Sequence, residues 1–245
     1  MTTIILNPLR LDIVLPCYNP QPGWSEEIIQ SWKEIAAHLQ DVSVRIILVN
    51  DGSSKGIEAE DIQALRENIS GFQFINRSIN QGKGYTLREG IARSDAPMTI
   101  FTDVDFPYTT DSLLALYRLL SEGGCDIAVG IKDEAYYQKL PAMRVRISRF
   151  LRFLSGIFLK MSITDTQCGL KGFNEKGKAV FMRTTIKRYL ADLEFIFLAD
   201  HTSGIRMRPL TVHLREHVVF SKVNSSILLT EGLNFFQVWL RSWRS

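Results

Sequence analysis

The chain has 245 residues, of which 45% are hydrophobic and 22% charged, so it can bury a sizeable core. Its formal net charge of +3, from 29 basic and 26 acidic residues, argues against a nucleic-acid partner, because phosphate binding needs a clustered basic surface. Three scattered cysteines argue against a zinc site or disulfide framework, and we expect no signal peptide and no bilayer-spanning helix, which favours a cytoplasmic location.

Short apolar runs alternate with helical patterns through the first 130 residues. The pattern predicts buried strands at residues 11–15, 44–49, 72–75, 98–102 and 127–129. It predicts helices between them at residues 26–40, 57–69, 85–92 and 112–120, the first with Ser25 as its N-cap. Alternation of this kind is typical of a mostly parallel sheet with helices on both faces.

Polar clusters follow three of the predicted strands. Residues 16–20 read Pro-Cys-Tyr-Asn-Pro, residues 50–54 read Asn-Asp-Gly-Ser-Ser, and residues 103–105 read Asp-Val-Asp. Ligands of such folds bind beyond the carboxyl ends of the strands. We therefore expect the three clusters to converge on one edge of the sheet and to form a binding site.

The two carboxylates of Asp103 and Asp105 are candidate metal ligands. Mg²⁺ and Mn²⁺ prefer oxygen ligands and bridge readily to phosphates. A metal at this point would neutralise charge that develops on a diphosphate leaving group. The alternative is a simple turn in which aspartate caps the backbone.

Two further segments are candidate nucleotide contacts. Asp51 either belongs only to a turn or accepts hydrogen bonds from a nucleobase or ribose. Residues 80–84 read Asn-Gln-Gly-Lys-Gly directly before a predicted helix, where glycine permits close backbone approach and the helix N-terminus favours anions. The spacing differs from that of a phosphate-binding P-loop.

These motifs occur in the order seen in glycosyltransferase family 2, which the chain resembles over roughly residues 11–223. Residues 165–173, Asp-Thr-Gln-Cys-Gly-Leu-Lys-Gly-Phe, look like a segment of its polyprenyl-phosphate branch, which includes the dolichyl-phosphate mannose and glucose synthases. Asp-Leu-Glu at residues 192–194 and Ser-Lys at residues 221–222, after Arg215, resemble later signatures of that branch.

The resemblance implies a single domain of the GT-A type over residues 1–245. Its nucleotide-binding half would cover about residues 11–130, its acceptor half about 131–223, and a C-terminal amphipathic helix about 225–243. The implied reaction is an inverting transfer from a nucleoside-diphosphate sugar, with Mg²⁺ or Mn²⁺ as cofactor. The implied acceptor is a polyprenyl phosphate, in cell envelope biosynthesis.

The resemblance also assigns roles to individual residues. Asp103 and Asp105 would hold the metal, and Asp105 would support catalysis through it. Asp192 stands where a general base is expected, although aspartate is also a favoured helix N-cap. Residues expected to contact the nucleotide sugar are Pro16, Tyr18, Asn19, Asp51, Gly82, Lys83, Asp103, Gln167, Arg215, Ser221 and Lys222.

Two departures from the family pattern leave the donor open. Pro20 replaces an acidic residue that commonly follows Tyr-Asn, and Pro107 stands where the mannose synthases carry glutamine. Three rival functions remain: transfer to a saccharide hydroxyl, a nucleotidyltransferase, and a non-catalytic nucleotide-sugar-binding module. The nucleotidyltransferase is disfavoured, because a glycine-rich N-terminal loop is absent.

Two amphipathic stretches, residues 144–160 and 227–241, are candidate contacts to a membrane surface or to a membrane-protein partner. The first interleaves basic residues with a run of Ile, Phe and Leu, and the second has one broad apolar side. Burial in the core or in a dimer interface is the alternative for each.

Overall fold

The computed structural model describes residues 9–132, 142–159, 161–216, 234–236 and 238–240. Within these residues the chain forms one seven-stranded sheet with the strand order β3-β2-β1-β4-β6-β5-β7. The strands are β1 (Leu9–Cys17), β2 (Val42–Asp51), β3 (Gln73–Arg77), β4 (Met98–Phe101), β5 (Ile127–Lys132), β6 (Lys171–Asn174) and β7 (Met207–Val212).

Helices connect most of these strands. In chain order they are α1 (Trp24–His38), α2 (Ala59–Asn68), α3 (Lys83–Arg93), α4 (Thr110–Ser121), α5 (Ala142–Phe158), α6 (Glu175–Phe181) and α7 (Ala191–Asp200). The five strands predicted from the sequence are β1 to β5, and the four predicted helices are α1 to α4. Strands β1 to β4 pair in parallel, as the alternation predicts.

The second half of the sheet departs from simple alternation. Strand β6 is inserted between β4 and β5 and runs antiparallel to both, while β7 pairs in parallel with β5. The insertion brings residues 165–173 next to the carboxyl end of β4. The resulting sheet is mostly parallel, in agreement with the predicted fold class.

Both faces of the sheet are covered because β1 and β2 are apolar on both sides. In β1, Leu11, Ile13 and Leu15 join a core with α1, α2 and α4, whereas Val14 joins a second core with α3, α6 and α7. Period-two alternation along a strand sends neighbouring side chains to opposite faces, so a continuous apolar run predicts a strand buried on both.

The first helix begins earlier than its sequence pattern predicts. Gly23 adopts a left-handed φ of 85° and precedes the first helical residue, so the prediction of Ser25 as N-cap is wrong. Ser25 lies inside the first turn, where its hydroxyl donates to Asp61 Oδ1 over 2.7 Å. The alternative reading of Asp192 as an N-cap is also wrong, since Leu190 takes that position.

Helix α3 lies close against β1 and β2 through one glycine. A Cβ atom added at Gly90 would stand 2.5 Å from Val14 Cγ1 and 3.0 Å from Val49 Cγ2. Both valines are fully buried in the sheet. The packing therefore fixes the distance between α3 and the sheet, and with it the position of the Lys83 end of the helix.

We predict that Gly90→Ala destabilises the fold by about 1–3 kcal/mol, the usual cost of overpacking a core. The matched control is Gly156→Ala, because Gly156 is exposed on α5 and its added Cβ would meet only Thr164 Cγ2 at 3.7 Å. That control should be neutral or stabilising by up to about 1 kcal/mol. Thermal unfolding of both variants measures the difference, and equal melting temperatures would contradict the packing argument.

Candidate active site

The three polar clusters meet at the carboxyl edge of β2, β1 and β4, which are neighbouring strands. They border an open cavity of about 1080 Å³. Of the predicted site residues, the cavity is lined by Pro16, Tyr18, Asn19, Asp51, Gly82, Lys83, Asp103, Asp105 and Arg215. The convergence expected from the sequence is therefore present.

An ion pair joins two of these segments inside the cavity. Lys83, the first residue of α3, donates from Nζ to Asp103 Oδ1 over 2.6 Å. Burial disfavours the charged form of Lys83, but the carboxylates of Asp103 and Asp192 outweigh it and raise its pKa. Burial likewise pushes the pKa of Asp103 upward, but Lys83, Lys171 and Lys132 together hold it below its ordinary value. Both groups are charged at neutral pH.

Asp105 has a different environment from Asp103. Burial within the cavity wall and the neighbouring Asp103 carboxylate raise the pKa of Asp105 to about 6. Asp105 is nevertheless exposed to solvent on the side that faces the cavity. A carboxylate destabilised in this way gains from a nearby cation, because the cation offsets both the repulsion and the lost hydration.

The donor set fits a hard divalent cation. Asp103 and Asp105 supply carboxylate oxygens, and one oxygen of Asp103 is already engaged by Lys83. No group of three His, Cys, Asp or Glu side chains suited to a metal occurs in the described part of the chain. The protein would thus hold such a cation mainly through Asp105, with ligand and water oxygens completing the shell.

Asp51 shapes the glycine turn that precedes α3. Its Oδ1 accepts from the backbone N–H of Gln81 and its Oδ2 from that of Gly82, both over 2.8 Å. Arg77 Nη1 lies 3.9 Å from Oδ1. The carboxylate lines the cavity while it fixes the start of α3, so any contact with a nucleoside would be an additional one.

Asn19 connects the loops that follow β1 and β2. Its backbone N–H donates to Ser53 Oγ, and its side-chain Oδ1 accepts from the backbone N–H of Ser54, both over 2.9 Å. The residue adopts a left-handed φ of 46°. Asparagine tolerates this conformation better than most residues, which explains its place in the motif.

Asp192 and Gln167 do not line this cavity. Asp192 is buried in the first turn of α7, and its Oδ1 accepts from Lys171 Nζ over 2.6 Å. The Lys171 side chain is completely buried and also donates to the carbonyl oxygen of Cys168. Gln167 is half-buried, and its amide donates to Thr166 Oγ1 over 3.4 Å.

Arg215 enters the cavity but is held by α1. Its guanidinium pairs with Glu27 and with Glu34, the latter at 3.5 Å, and donates to the carbonyl oxygen of Tyr108 over 3.2 Å. If Arg215 contacts a phosphate, as the resemblance predicts, its guanidinium must do so in addition to these interactions. Ser221 and Lys222, with most of the predicted C-terminal helix, lie outside the described residues.

Several cavity residues were not predicted from the sequence. Arg188 and Tyr189 come from the segment before α7, and Glu27 comes from the first turn of α1. For Arg188 and Tyr189, the sequence signal was an adjacent Arg-Tyr pair just before an apolar helix. Lys171 belongs to the motif at residues 165–173, but its pairing with Asp192 depends on the antiparallel strand β6, which no local sequence pattern predicts.

With this geometry established, comparison with known proteins decides the family. The model of glycosyl transferase family 2 matches residues 12–188. The chain belongs to this family. It is accordingly a glycosyltransferase, as the motif order predicts.

Curated relatives share this chemistry at low identity. The chain is 24% identical over 259 residues to a dolichyl-phosphate beta-glucosyltransferase of Drosophila melanogaster, covering 96% of this chain and 77% of that protein. It is 26% identical to the Saccharomyces cerevisiae enzyme of the same name, covering 77% and 62% respectively. A poly-beta-1,6-N-acetyl-D-glucosamine synthase of Staphylococcus epidermidis is 30% identical over 95 residues, 39% of this chain and 21% of that protein. The first two matches confirm the predicted resemblance to polyprenyl-phosphate sugar synthases.

Solved structures support the GT-A-like fold. Glucosyl-3-phosphoglycerate synthase from Mycobacterium tuberculosis, in complex with Mn²⁺, UDP and glucosyl-3-phosphoglycerate, has a TM-score of 0.67 at 14% identity, covering 96% of this chain and 80% of that one. A mannosyltransferase from Pyrobaculum calidifontis, in complex with GDP-Man and Mn²⁺, has a TM-score of 0.63 at 13% identity, covering 98% and 66%. At these identities the likeness concerns the fold.

We predict that Mn²⁺ binding depends on the ionised form of Asp105. A proton and a cation compete for this carboxylate, so affinity should fall about tenfold between pH 7 and pH 5, as its pKa of about 6 requires. Asp105→Asn should lower the affinity at pH 7 about tenfold or more and remove most of the pH dependence. Electron paramagnetic resonance of free Mn²⁺ during a titration measures both effects.

The matched control is Asp41→Asn, because Asp41 is exposed at the amino end of β2, opposite the cavity. It should bind Mn²⁺ like the wild type. Unchanged affinity in Asp105→Asn would refute the metal assignment.

Proposed function

We propose that this glycosyltransferase moves a sugar, with inversion, from a nucleoside-diphosphate sugar to a polyprenyl phosphate. The observation that carries the donor half is the Asp103 and Asp105 pair, which faces a cavity large enough for a nucleotide sugar. The dolichyl-phosphate beta-glucosyltransferases among the relatives support the acceptor half.

On the donor side, Pro16, Tyr18, Asn19 and Asp51 line the part of the cavity proposed for the nucleoside. Asp105 would hold Mg²⁺ or Mn²⁺, which would stabilise the diphosphate as a leaving group. The structures of the mycobacterial and archaeal relatives contain Mn²⁺ with UDP or GDP-Man, which supports this cofactor. Lys83 neutralises Asp103 beside it.

On the acceptor side, the proposed nucleophile is a phosphate oxygen. This oxygen forms the new bond to the anomeric carbon while the bond between that carbon and the diphosphate oxygen breaks. A phosphate is ionised near neutral pH, so no proton needs to be removed. A saccharide hydroxyl, in contrast, would need a general base, a role that the family resemblance suggests for Asp192.

The pairing of Asp192 with Lys171 favours the phosphate acceptor. One carboxylate oxygen accepts from a completely buried ammonium, and the Asp192 side chain is 7% exposed. A carboxylate enclosed in this way is suited to positioning the groups around it.

The rival acceptor, a saccharide hydroxyl, is supported by the likeness to the poly-beta-1,6-N-acetyl-D-glucosamine synthase over 95 residues.

We predict that wild-type protein, once its donor is found in a panel of UDP- and GDP-sugars with Mn²⁺, transfers sugar to polyprenyl phosphate in detergent micelles. Asp192→Asn should keep kcat for this acceptor within about tenfold, since no proton is removed. If the acceptor were a hydroxyl and Asp192 its general base, Asp192→Asn should lower kcat about 10²–10⁴-fold. Radiolabelled sugar transfer to each acceptor distinguishes the two.

Transfer only to a soluble saccharide, together with a large loss in Asp192→Asn, would overturn the phosphate acceptor in favour of the hydroxyl. Thermal unfolding provides the control for folding, because the substitution alters a buried ion pair. Lys171 can still donate to the amide oxygen of the asparagine, so we expect the variant to fold.

A polyprenyl phosphate resides in a bilayer, so the proposal requires a surface that meets it. No helix within the described residues is long and apolar enough to cross a membrane. Helix α5 instead exposes an apolar stripe near Arg146 and Arg149, formed by Met143, Phe150, Phe153, Ile157 and Phe158. Such a combination of apolar and basic residues suits an anionic membrane surface.

Residues near the C-terminus extend this stripe. Trp239 contacts Phe158 edge-on with ring centroids 6.1 Å apart, and Phe236 and Leu240 are exposed beside it. The two amphipathic stretches of the sequence therefore contribute to one apolar surface. Trp239 itself is half-buried, so exposed residues of α5 are better choices for substitution.

We predict that the protein co-sediments with anionic liposomes at low salt and less so at high salt, because screening weakens the attraction of its basic residues. Phe150→Asp combined with Phe153→Asp should reduce binding about tenfold or more. The matched control is Leu9→Asp, since Leu9 is equally apolar and exposed but lies at the amino end of β1. Equal binding by all three proteins would exclude α5 as the contact surface.

A further inference from the structure

The segment between α6 and α7, residues 182–190, is anchored by hydrogen bonds to a buried carboxylate. Glu194 is fully buried in α7, and its Oε2 accepts from the backbone N–H groups of Thr185 and Ile186 over 2.8 and 2.7 Å. The hydroxyl of Thr185 donates to the same carboxylate over 3.0 Å. A charged acceptor with several donors fixes backbone position strongly, so this segment has a defined conformation.

The same segment lies directly on the first turn of α3. The backbone N–H of Tyr85 donates to the carbonyl oxygen of Lys187 over 3.1 Å. A Cβ atom at Gly82 would stand 2.6 Å from that oxygen, and one at Gly84 would stand 2.5 Å from the carbonyl oxygen of Ile186. Two glycines thus permit a contact that any side chain would prevent.

This contact places Arg188 at the cavity. Its Cγ lies 3.0 Å from the position that a Cβ of Gly82 would occupy, and the residue lines the cavity together with Lys83 and Asp105. Arg188 is also exposed. The segment therefore places Arg188 beside the N-terminus of α3, at the edge of the cavity.

Among the described residues that line the cavity, Arg188 differs from the other cations in having no ionic partner. Lys83 pairs with Asp103, and Arg215 pairs with Glu27. Among the residues that the structure describes, the Arg188 guanidinium makes no hydrogen bond or salt bridge. The planar guanidinium has several N–H donors, and its geometry matches that of a phosphate group.

We propose that Arg188 binds the terminal phosphate of the nucleoside diphosphate, the group that gains charge when the sugar leaves. The inference rests on the proposed nucleotide-sugar donor. Arg188 lies outside the sequence motifs that suggested the site. Arg188 would stabilise the departing diphosphate from the α3 side, while Asp105 lies at the end of β4.

The test is calorimetric titration with UDP, GDP and the corresponding monophosphates in the presence of Mn²⁺. For the diphosphate that the wild type binds, Arg188→Gln should weaken binding about tenfold or more, the loss expected for a charge-assisted hydrogen bond. Binding of the corresponding monophosphate should change by less than about threefold. The diphosphate affinity of Arg188→Lys should lie between those of the wild type and Arg188→Gln, because lysine keeps the charge but lacks the planar, forked donor geometry of arginine.

The matched control is Arg183→Gln, in the same segment. Arg183 donates to Thr202 Oγ1 over 3.0 Å and does not line the cavity, so its removal should leave nucleotide affinity unchanged. Equal diphosphate affinity in Arg188→Gln and wild type would overturn the proposal, and so would an equal loss for mono- and diphosphate. A rise confined to the acceptor KM would also overturn it. Failure of the wild type to bind any nucleotide would instead refute the proposed donor.

Discussion

The ion pair between Lys83 and Asp103 is the constraint on which the site depends. It joins the first residue of α3 to the end of β4 over 2.6 Å, and a charge left unpaired in this partly buried position would be costly. Gly169 closes the other side, because a Cβ there would stand 2.4 Å from Asp103 Oδ2. Asp103 is therefore held from two directions, and Asp105, two residues further on, is the carboxylate left to take a ligand.

Close backbone contacts hold the remaining loops around this pair. A Cβ at Gly52 would stand 2.6 Å from the backbone nitrogen of Asn80, so the loops after β2 and β3 touch directly. Asp51 strengthens the contact by accepting two backbone N–H groups from the second loop. Glycine and aspartate thus have structural tasks in the same motif that borders the ligand cavity. This double use explains why the motif is informative although each of its residues alone could be only a turn.

The sequence was sufficient for features that depend on neighbouring residues. Apolar runs followed by polar clusters predicted β1, β2 and β4 and the edge where Asp51, Asp103 and Asp105 meet. The predicted start of α1 is wrong, because Gly23 and not Ser25 is the N-cap of the helix. Features that depend on distant contacts could not be predicted. The antiparallel β6, the pairing of Arg215 with α1 and the placement of Arg188 over Gly82 each join segments far apart in the chain.

The pairing of charges around the cavity indicates what kind of ligand it favours. Lys83 offsets Asp103, Arg215 offsets Glu27, and Asp51 is satisfied by backbone N–H groups near Arg77. Among the charged residues described as lining the cavity, Asp105 and Arg188 then remain with unused capacity, one negative and one positive. A lone anion would be repelled by Asp105, and a lone cation by Arg188. A divalent cation bound together with a diphosphate would satisfy both, as the proposed nucleotide-sugar donor with its metal requires.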